Sequence, residues 1–510
     1  MADSGTVSIK AGGKILTADK GSVLMDVFRK NGIGIDAYCG GRGFCGKCAV
    51  RFISGAPEPS SEDRRVFTLD QLEKGSRLAC RARLFSDAEV ETGFREGFEI
   101  LESYEGESGG DISDSSYVLG IDIGTTTVVM QLAGAESRKA RAVRSFLNPQ
   151  RIYGSDVISR ISAAAAGKGG EMRTLITEKL ASGYSSIKEE LGISDGMVRK
   201  ACVAANTTML HLLLGYPAQG LGTYPFRPHS LKYEERDLGT VLDGTPNGVV
   251  LSVLPGMSAF VGADITAGLV LAGLDEPPAP SLFIDLGTNG EIAVSDGNGI
   301  LVSSTAAGPA FEGGNISCGT GTVPGAIFKA VYQDGSFITE TIRNAPVSGI
   351  CGTGIIDIMS ELVKNGLCDE TGRLDGRFHE KGVHLGGDVY FTQKDIREIQ
   401  LAKSAVCAGL LTLMKKKGLK ADDIGALYIA GGFGTKIDIG NAADIGLIPK
   451  GLEDRTVVMG NSSLGGAMEF LFTGDRDRFI RTAAGAEEIT LSTDDDFSEY
   501  YMDCMFFERL

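Results

Sequence analysis

The sequence is short of positive charge, of histidine and of uninterrupted apolar stretches, and each shortage removes a class of function. Lys and Arg total 50 against 66 Asp and Glu, a net charge of −16. A surface of that sign has no basic patch to displace counterions from a phosphate backbone, so nucleic acid is not an expected partner. The four histidines, His211, His229, His379 and His384, share no motif, and no catalytic role is expected of them. The start, Met1-Ala2-Asp3-Ser4-Gly5, has no basic segment followed by an apolar one, so no secretory signal is expected. The longest apolar stretch, about 248–274, is broken by Pro255, Asp264 and several glycines. It reads as buried strand, loop and helix, and no membrane partner is expected. Gly-x4-Gly-Lys-Ser/Thr is absent, which closes the P-loop route to nucleotide chemistry. Ten cysteines without an export signal imply thiols or metal ligands in a cytoplasmic protein, not disulfides.

A chain of 510 residues implies two to four domains with cores that need no staples. Alternating Val7 and Ile9, a turn at Ala11-Gly12-Gly13, then Ile15 and Thr17 predict a hairpin over 5–17. Val23–Asn31 has helical spacing and stops before Gly32. Strand-like runs follow at Cys48–Ile53 and Glu89–Thr92, so residues 1–100 read as a small sheet packed on one helix. Residues 101–116 hold Glu102, Glu105, Glu107, Asp111 and Asp114 with no basic residue, and read as an acidic linker. From Tyr117 onward strands and helices alternate. Gly120-Ile121-Asp122-Ile123-Gly124-Thr125-Thr126-Thr127 and Phe283-Ile284-Asp285-Leu286-Gly287-Thr288-Asn289-Gly290 are two similar entries. They predict a duplicated α/β half-domain with lobes of about 117–280 and 281–510.

Three cysteines crowd into Cys39-x5-Cys45-x2-Cys48, and Cys80 follows alone. Three thiolates on one loop and one on a distant turn form the soft anionic set that a [2Fe–2S] cluster takes. Gly40, Gly41, Gly43 and Gly46 lie among them, and without Cβ atoms backbone N–H groups can approach the sulfides. Arg42, Lys47, Arg81 and Arg83 add positive potential. Zinc is the other reading, but structural zinc generally pairs two Cys-x2-Cys knuckles, and Cys80 has no second cysteine beside it. The pattern resembles plant- and adrenodoxin-type ferredoxins, its first spacing nearer the latter, and that resemblance implies a β-grasp domain. Cys202, Cys318, Cys351, Cys368, Cys407 and Cys504 lack metal spacing and are expected as buried thiols.

Each Asp-x-Gly-Thr ends a strand. A tight turn there sets glycine N–H and threonine O–H groups against phosphate, while the aspartate holds Mg²⁺ or orients water. Two such hairpins from two half-domains can clamp one nucleotide. Tyr428-Ile429-Ala430-Gly431-Gly432-Phe433-Gly434 suits adenine and ribose lying on backbone, and Gly349–Gly354 can assist. The triple resembles the acetate and sugar kinase/Hsp70/actin superfamily. The resemblance implies a duplicated actin-like (ribonuclease H-like) ATPase fold, so the chain is an α/β and α+β multidomain protein. It also implies Asp122, Asp285 and Glu291 as catalytic acids. Gly124, Thr125, Thr126, Thr127, Gly287, Thr288, Asn289, Gly290, Gly431, Gly432 and Gly434 become the ATP contacts.

A kinase has no use for a redox cluster, and a simple ferredoxin has none for ATP. Joined, they imply an electron driven uphill: a one-electron deficit of about 200 mV needs roughly 5 kcal/mol, the size of a full two-state switch. The whole chain resembles the reductive activators of corrinoid proteins. The likeness is carried by Asn148-Pro149-Gln150 through Gly154-Ser155-Asp156-Val157, Asn206-Thr207-Thr208-Met209, Ser304–Gly313 and Gln393-Lys394-Asp395-Ile396-Arg397. It implies a [2Fe–2S] cluster on Cys39, Cys45, Cys48 and Cys80, and Mg-ATP between Asp122 and Asp285. It further implies reduction of Co(II) to Co(I) on a corrinoid protein or corrinoid-dependent methyltransferase, a separate low-potential electron donor, and a homodimer. Larger members carry an extra domain before the ATPase half, where only 101–116 stands here. Ser304, with an exposed Pro309-Ala310-Phe311 nearby, is a candidate contact to the corrinoid. The acidic, aromatic C-terminal tail reads as a terminal strand packed on the core. Three alternatives stand beside this reading: an activator of 2-hydroxyacyl-CoA dehydratase type, a metabolite kinase, and a non-catalytic ATP-gated binding module or chaperone for corrinoid proteins.

Overall fold

The computed structural model describes residues 5–11, 13–31, 33, 43, 48–91, 114–431 and 437–507. Strands β1 (Thr6–Ala11), β2 (Lys14–Asp19), β3 (Ala49–Ser54), β4 (Ser76–Leu78) and β5 (Ala88–Glu91) form a sheet in the order β2-β1-β5-β3-β4. β1 and β2 are the expected antiparallel hairpin, with alternate residues Val7, Ile9 and Ala11 buried, and β1 runs parallel to β5. Leu24 and Phe28, four apart on the helix Leu24–Lys30, share one helical face and enter the same core as Val50, Phe52 and Leu78. A mixed sheet clasping one helix is the β-grasp arrangement. Asp63, 1% exposed, ties this domain's last turns together: it accepts from Leu78 N at 2.7 Å, Ser60 N at 2.8 Å and Ser60 Oγ at 2.7 Å.

The linker expected over 101–116 lies outside the described residues as far as 113, and its last part is corrected. Asp114 is 3% exposed and accepts from Ser137 N, Ser137 Oγ and Arg141. A carboxylate with that many donors is an anchor, so folded structure is already present at Asp114.

Strands β6 (Tyr117–Ile123), β7 (Thr127–Gly134), β8 (Ala140–Leu147), β9 (Val198–Ala205), β10 (Glu234–Asp237) and β11 (Val250–Val253) make a second sheet, ordered β10-β11-β9-β6-β7-β8. The remaining strands are β12 (Ser281–Leu286), β13 (Gly290–Ser295), β14 (Ile300–Thr305), β15 (Ala326–Gln333), β16 (Ser336–Thr341), β17 (Gly349–Ile350), β18 (Val383–Gly386), β19 (Val389–Phe391), β20 (Ala426–Ala430), β21 (Thr456–Gly460) and β22 (Ala486–Glu488). Six of them form a sheet ordered β21-β20-β12-β13-β14-β22. In both large sheets an antiparallel three-strand meander is followed by two parallel strands on its far side: β8-β7-β6-β9-β11 and β14-β13-β12-β20-β21. The duplication read from two short motifs is therefore a duplication of topology, the ribonuclease H-like order of an actin-like fold.

The lobes expected to divide near 280 are tied together by two helices. The helix Ala263–Leu271, which follows the first of these sheets, keeps Ala263, Ala267 and Val270 in the first core and, with Val261 just before it, lays Ile265 and Leu269 against Phe283, Ala293 and Val302 of the second. The helix Ser462–Thr473, which follows the second, buries Ala467, Met468 and Leu471 in the core of the first, and Phe479 of the helix Arg476–Gly485 joins them. The two sheets exchange helices. The exchanged pair cross closely: a Cβ on Gly466 would lie 2.2 Å from the Ala267 carbonyl oxygen, so only glycine fits there.

The tail is a helix, Asp495–Asp503, where a strand was expected. Phe497, Tyr500 and Tyr501, at i, i+3 and i+4, pack on Cys407 of the helix Gln393–Lys416. No helix among the described residues is long and apolar enough to cross a membrane.

Candidate active site

The ends of β6 and β12 bring the two Asp-x-Gly-Thr turns together across one cleft. Asp122, Gly124, Thr125, Thr127, Asp285, Gly287, Thr288, Asn289, Glu291 and Gly431 all line it. Asp122 pairs with Ala204 of β9, as Asp285 pairs with Ala430 of β20, so the two acids occupy matching places in matching sheets. Gly431 has φ +114° and sits where a Cβ would meet the Leu286 carbonyl oxygen at 2.3 Å. That close approach seats the end of β20 against the second phosphate turn. Gly432 and Gly434 lie outside the described residues. Gly290 opens β13 against Val406 and Thr305 and is not part of the lining.

Distant segments complete the site. The helix Ser462–Thr473 reaches Asp122 with Ser463 Oγ, which donates to Oδ1 at 2.8 Å, and Asn461 Nδ2 donates to Oδ2 at 2.9 Å. Burial still pushes the Asp122 carboxyl up to about 6. Asp264, in the first turn of the exchanged helix Ala263–Leu271, faces the same space, and burial, reinforced by Asp122, pushes it up to about 7. Glu291 is held well above the usual carboxylate range by burial and then by Asp264 and Asp285. Glu312 accepts from Thr288 Oγ1 at 2.7 Å and from the Thr126 hydroxyl, so one carboxylate bridges both phosphate turns. Thr126 enters the site through that contact, since it is absent from the described lining. Asn206 Nδ2 donates to Thr125 Oγ1 at 3.0 Å.

Asp264, Asn461 and Ser463 carry no local motif, whereas Asn206 and Glu312 lie in stretches that carry the family likeness but were assigned no role there. Asp264 stood out in the sequence only as an interruption of an apolar stretch. The recurring signal that could have found it is its place just after a glycine opening a helix, as Ser463 follows Asn461 and Ser462 in the matching helix.

Ser304 is on β14 directly opposite Glu291, and its Oγ donates to Glu291 Oε1 at 3.4 Å. The exposure expected of Pro309-Ala310-Phe311 is not found: Ala310 and Phe311 are buried in the second-lobe core.

In the first domain Cys39 and Cys45 lie outside the described residues. Cys48 and Cys80 are buried with their Sγ atoms 3.4 Å apart. A disulfide needs about 2.05 Å. The two thiols are therefore in contact but not bonded to each other. The Asp63–Leu78 bond fixes the strand that delivers Cys80. Of the six other cysteines, Cys318 is half-buried and the rest are buried as expected.

A family model described as the C-terminal domain of RACo, the ASKHA domain, matches residues 279–509, and one described as the RACo middle region matches 117–277. A 2Fe-2S iron-sulfur cluster binding domain matches 9–84. The corrinoid activation enzyme RamQ of Eubacterium limosum is 34% identical over 420 residues, covering 76% of this chain and 69% of the relative. The [Co(II) methylated amine-specific corrinoid protein] reductase of Methanosarcina barkeri is 29% identical over 276 residues, 49% of this chain and 50% of its own. Among solved structures, a reductive activator for corrinoid,iron-sulfur protein superimposes with a TM-score of 0.71 at 25% identity, over 98% of each chain. The region matched as the RACo middle region coincides with the sheet of β6–β11.

Proposed function

The chain belongs to the reductive activators of corrinoid proteins, and from that premise we propose that it passes single electrons to a corrinoid protein, converting Co(II) to Co(I) at the cost of ATP hydrolysis. The observation that carries the ATP half is the reach of Ser463 and Asn461 to Asp122, which makes one lobe's acid dependent on a helix that follows the other lobe's sheet. Closure of the cleft around a nucleotide therefore acts on both sheets at once.

The hard carboxylate oxygens of Asp122 and Asp285 suit Mg²⁺. Among the described residues no three His, Cys, Asp or Glu side chains are grouped closely enough to hold an ion alone. An ion there would keep several waters and take one or two carboxylates plus phosphate oxygens. Gly124, Thr125 and Thr127, with Gly287, Thr288 and Asn289, supply backbone and hydroxyl contacts to phosphate. Asp264, with a carboxyl near 7, is placed to orient and deprotonate the attacking water. Cys48 and Cys80, completed by Cys39 and Cys45, hold a [2Fe–2S] cluster, which when bound supplies one low-potential electron. Arg81 lies against Gly43 of the cysteine loop and pairs with Glu62 at 3.3 Å, fixing positive charge beside it. Ser304 remains the candidate contact to the corrinoid. A separate low-potential donor, pairing into a homodimer and a cytoplasmic setting belong to the same reading.

Anaerobic mixing of the reduced protein with a Co(II) corrinoid protein tests it. Co(I) absorption is expected to rise only with Mg-ATP present. Equal rates without nucleotide, or protein that carries no iron, would sink the reading. Light scattering reads the dimer.

A further inference from the structure

The nucleotide cleft must bind a polyanion, yet its described lining contains four carboxylates and no Lys or Arg. The positive charge lies one layer behind. Arg160, on the helix Val157–Ala163, is 0% exposed. Its Nη2 donates to the Thr125 carbonyl at 2.6 Å, its Nε to the Gly154 carbonyl at 2.9 Å, and its Nη1 to Met209 Sδ at 3.2 Å. All three acceptors are neutral. The nearest acid acting on it, Asp156, directs its oxygens to Ser159 N and Oγ instead. Burial lowers the guanidinium to about 9, which still leaves it charged at neutral pH. A buried cation without a bonded counter-ion is costly, and retaining one asks for a compensating charge.

Its bond to Thr125 is one of three. Asn148 Nδ2 donates to the Gly124 carbonyl at 2.8 Å, and Asn148 N to the Thr126 carbonyl at 2.8 Å. Three consecutive carbonyls of the first phosphate turn are thus pinned backwards. In a trans peptide the N–H points opposite to the C=O, so the N–H groups of Thr125, Thr126 and Thr127 are turned the other way. Successive N–H groups aligned like this form an anion-binding nest.

We propose that Arg160 is a positioning residue for the nucleotide phosphates, holding the middle peptide of this nest in register and acting on the phosphates through a single layer of backbone. The inference rests on the nucleotide reading of the cleft. It assigns the phosphates as the counter-ion that Arg160 lacks.

The test uses the full chain with its cluster, comparing wild type, Arg160→Met and Arg160→Lys by competition binding of ATP, ADP and adenosine with Mg²⁺. Arg160→Met, near in shape but neutral, is expected to weaken ATP by about 10- to 100-fold, the scale of one charge-assisted contact. Adenosine should change by less than about twofold, and Arg160→Lys should regain part of the ATP affinity. In turnover the KM for ATP should rise more than kcat falls. Equal loss of ATP and adenosine would mean the residue merely supports the fold, and normal ATP binding by Arg160→Met would also overturn the proposal. If Arg160→Met does not melt cooperatively, Arg160→Lys decides: selective loss of ATP relative to adenosine supports the proposal, and parallel loss of both overturns it. Wild-type protein that binds neither ATP nor ADP would remove the nucleotide reading itself, a separate failure.

Discussion

Asp122, Asp264 and Glu291 share one cleft with carboxyls raised by burial, Asp264's further by Asp122 and Glu291's by Asp264 and Asp285, and this sets how the site answers to pH. Each is easier to protonate folded than unfolded. The contribution of Asp122 and Asp264 to stability is complete below the unfolded value near 4 and is lost as pH rises through about 6 to 7. Without divalent ions, Tm is expected to fall over that window, and Mg-ATP should flatten the slope because the ion favours the ionised acids. A Tm profile that Mg-ATP leaves unchanged would count against an ion at these acids. Asp264→Asn should leave ATP affinity within a few-fold and cut phosphate release by about 10²- to 10⁴-fold, the usual worth of a positioned acid–base group. Asp122 and Asp285 were legible because strand, Asp, Gly and Thr are contiguous. Asp264 and Ser463 were not, because each reaches the cleft from a helix remote in sequence and carries no neighbour that marks it, and Glu312 lay in a stretch read toward the corrinoid and not toward the nucleotide.

Elements decide which of these residues arrive. Asp63 holds β4 by accepting from Leu78 N, next to the turn bearing Cys80. Asp63→Ala strands buried donors that each cost about 1–3 kcal/mol. Iron content per chain after anaerobic reconstitution is expected to drop, with ATP binding by the other domain intact. Gly466→Ala presses a methyl onto the Ala267 carbonyl and should lower stability by about 1–3 kcal/mol, measured by denaturant unfolding. The hairpin of β1 and β2 was legible from alternation because only one face of that sheet is buried. The C-terminal helix was misread as a strand because its acidic residues hid the i, i+3, i+4 spacing of Phe497, Tyr500 and Tyr501. The acidic segment was read as linker one anchor too far, since nothing in Asp114 itself announces Arg141.

At the scale of the molecule, coupling between redox and nucleotide chemistry needs both parts on one chain. A protein lacking residues 1–91 is expected to bind and hydrolyse ATP yet to yield no Co(I) from a Co(II) corrinoid protein, as followed by absorption. The doubled topology was legible from two motifs, whereas the exchange of helices between sheets was not, because composition does not say which sheet an apolar helix will cover.

That exchange means the chain is woven rather than hinged from two separable beads. Halves expressed apart after a break near residue 280 would each lack the packing their own sheet requires, the first missing Ala467, Met468, Leu471 and Phe479 from its core. Such fragments are expected to precipitate alone and to reconstitute a soluble ATPase only when co-expressed. A natural fission of this protein into two genes would therefore yield obligate partners, and a protease nick in that loop would leave a particle that still migrates as one.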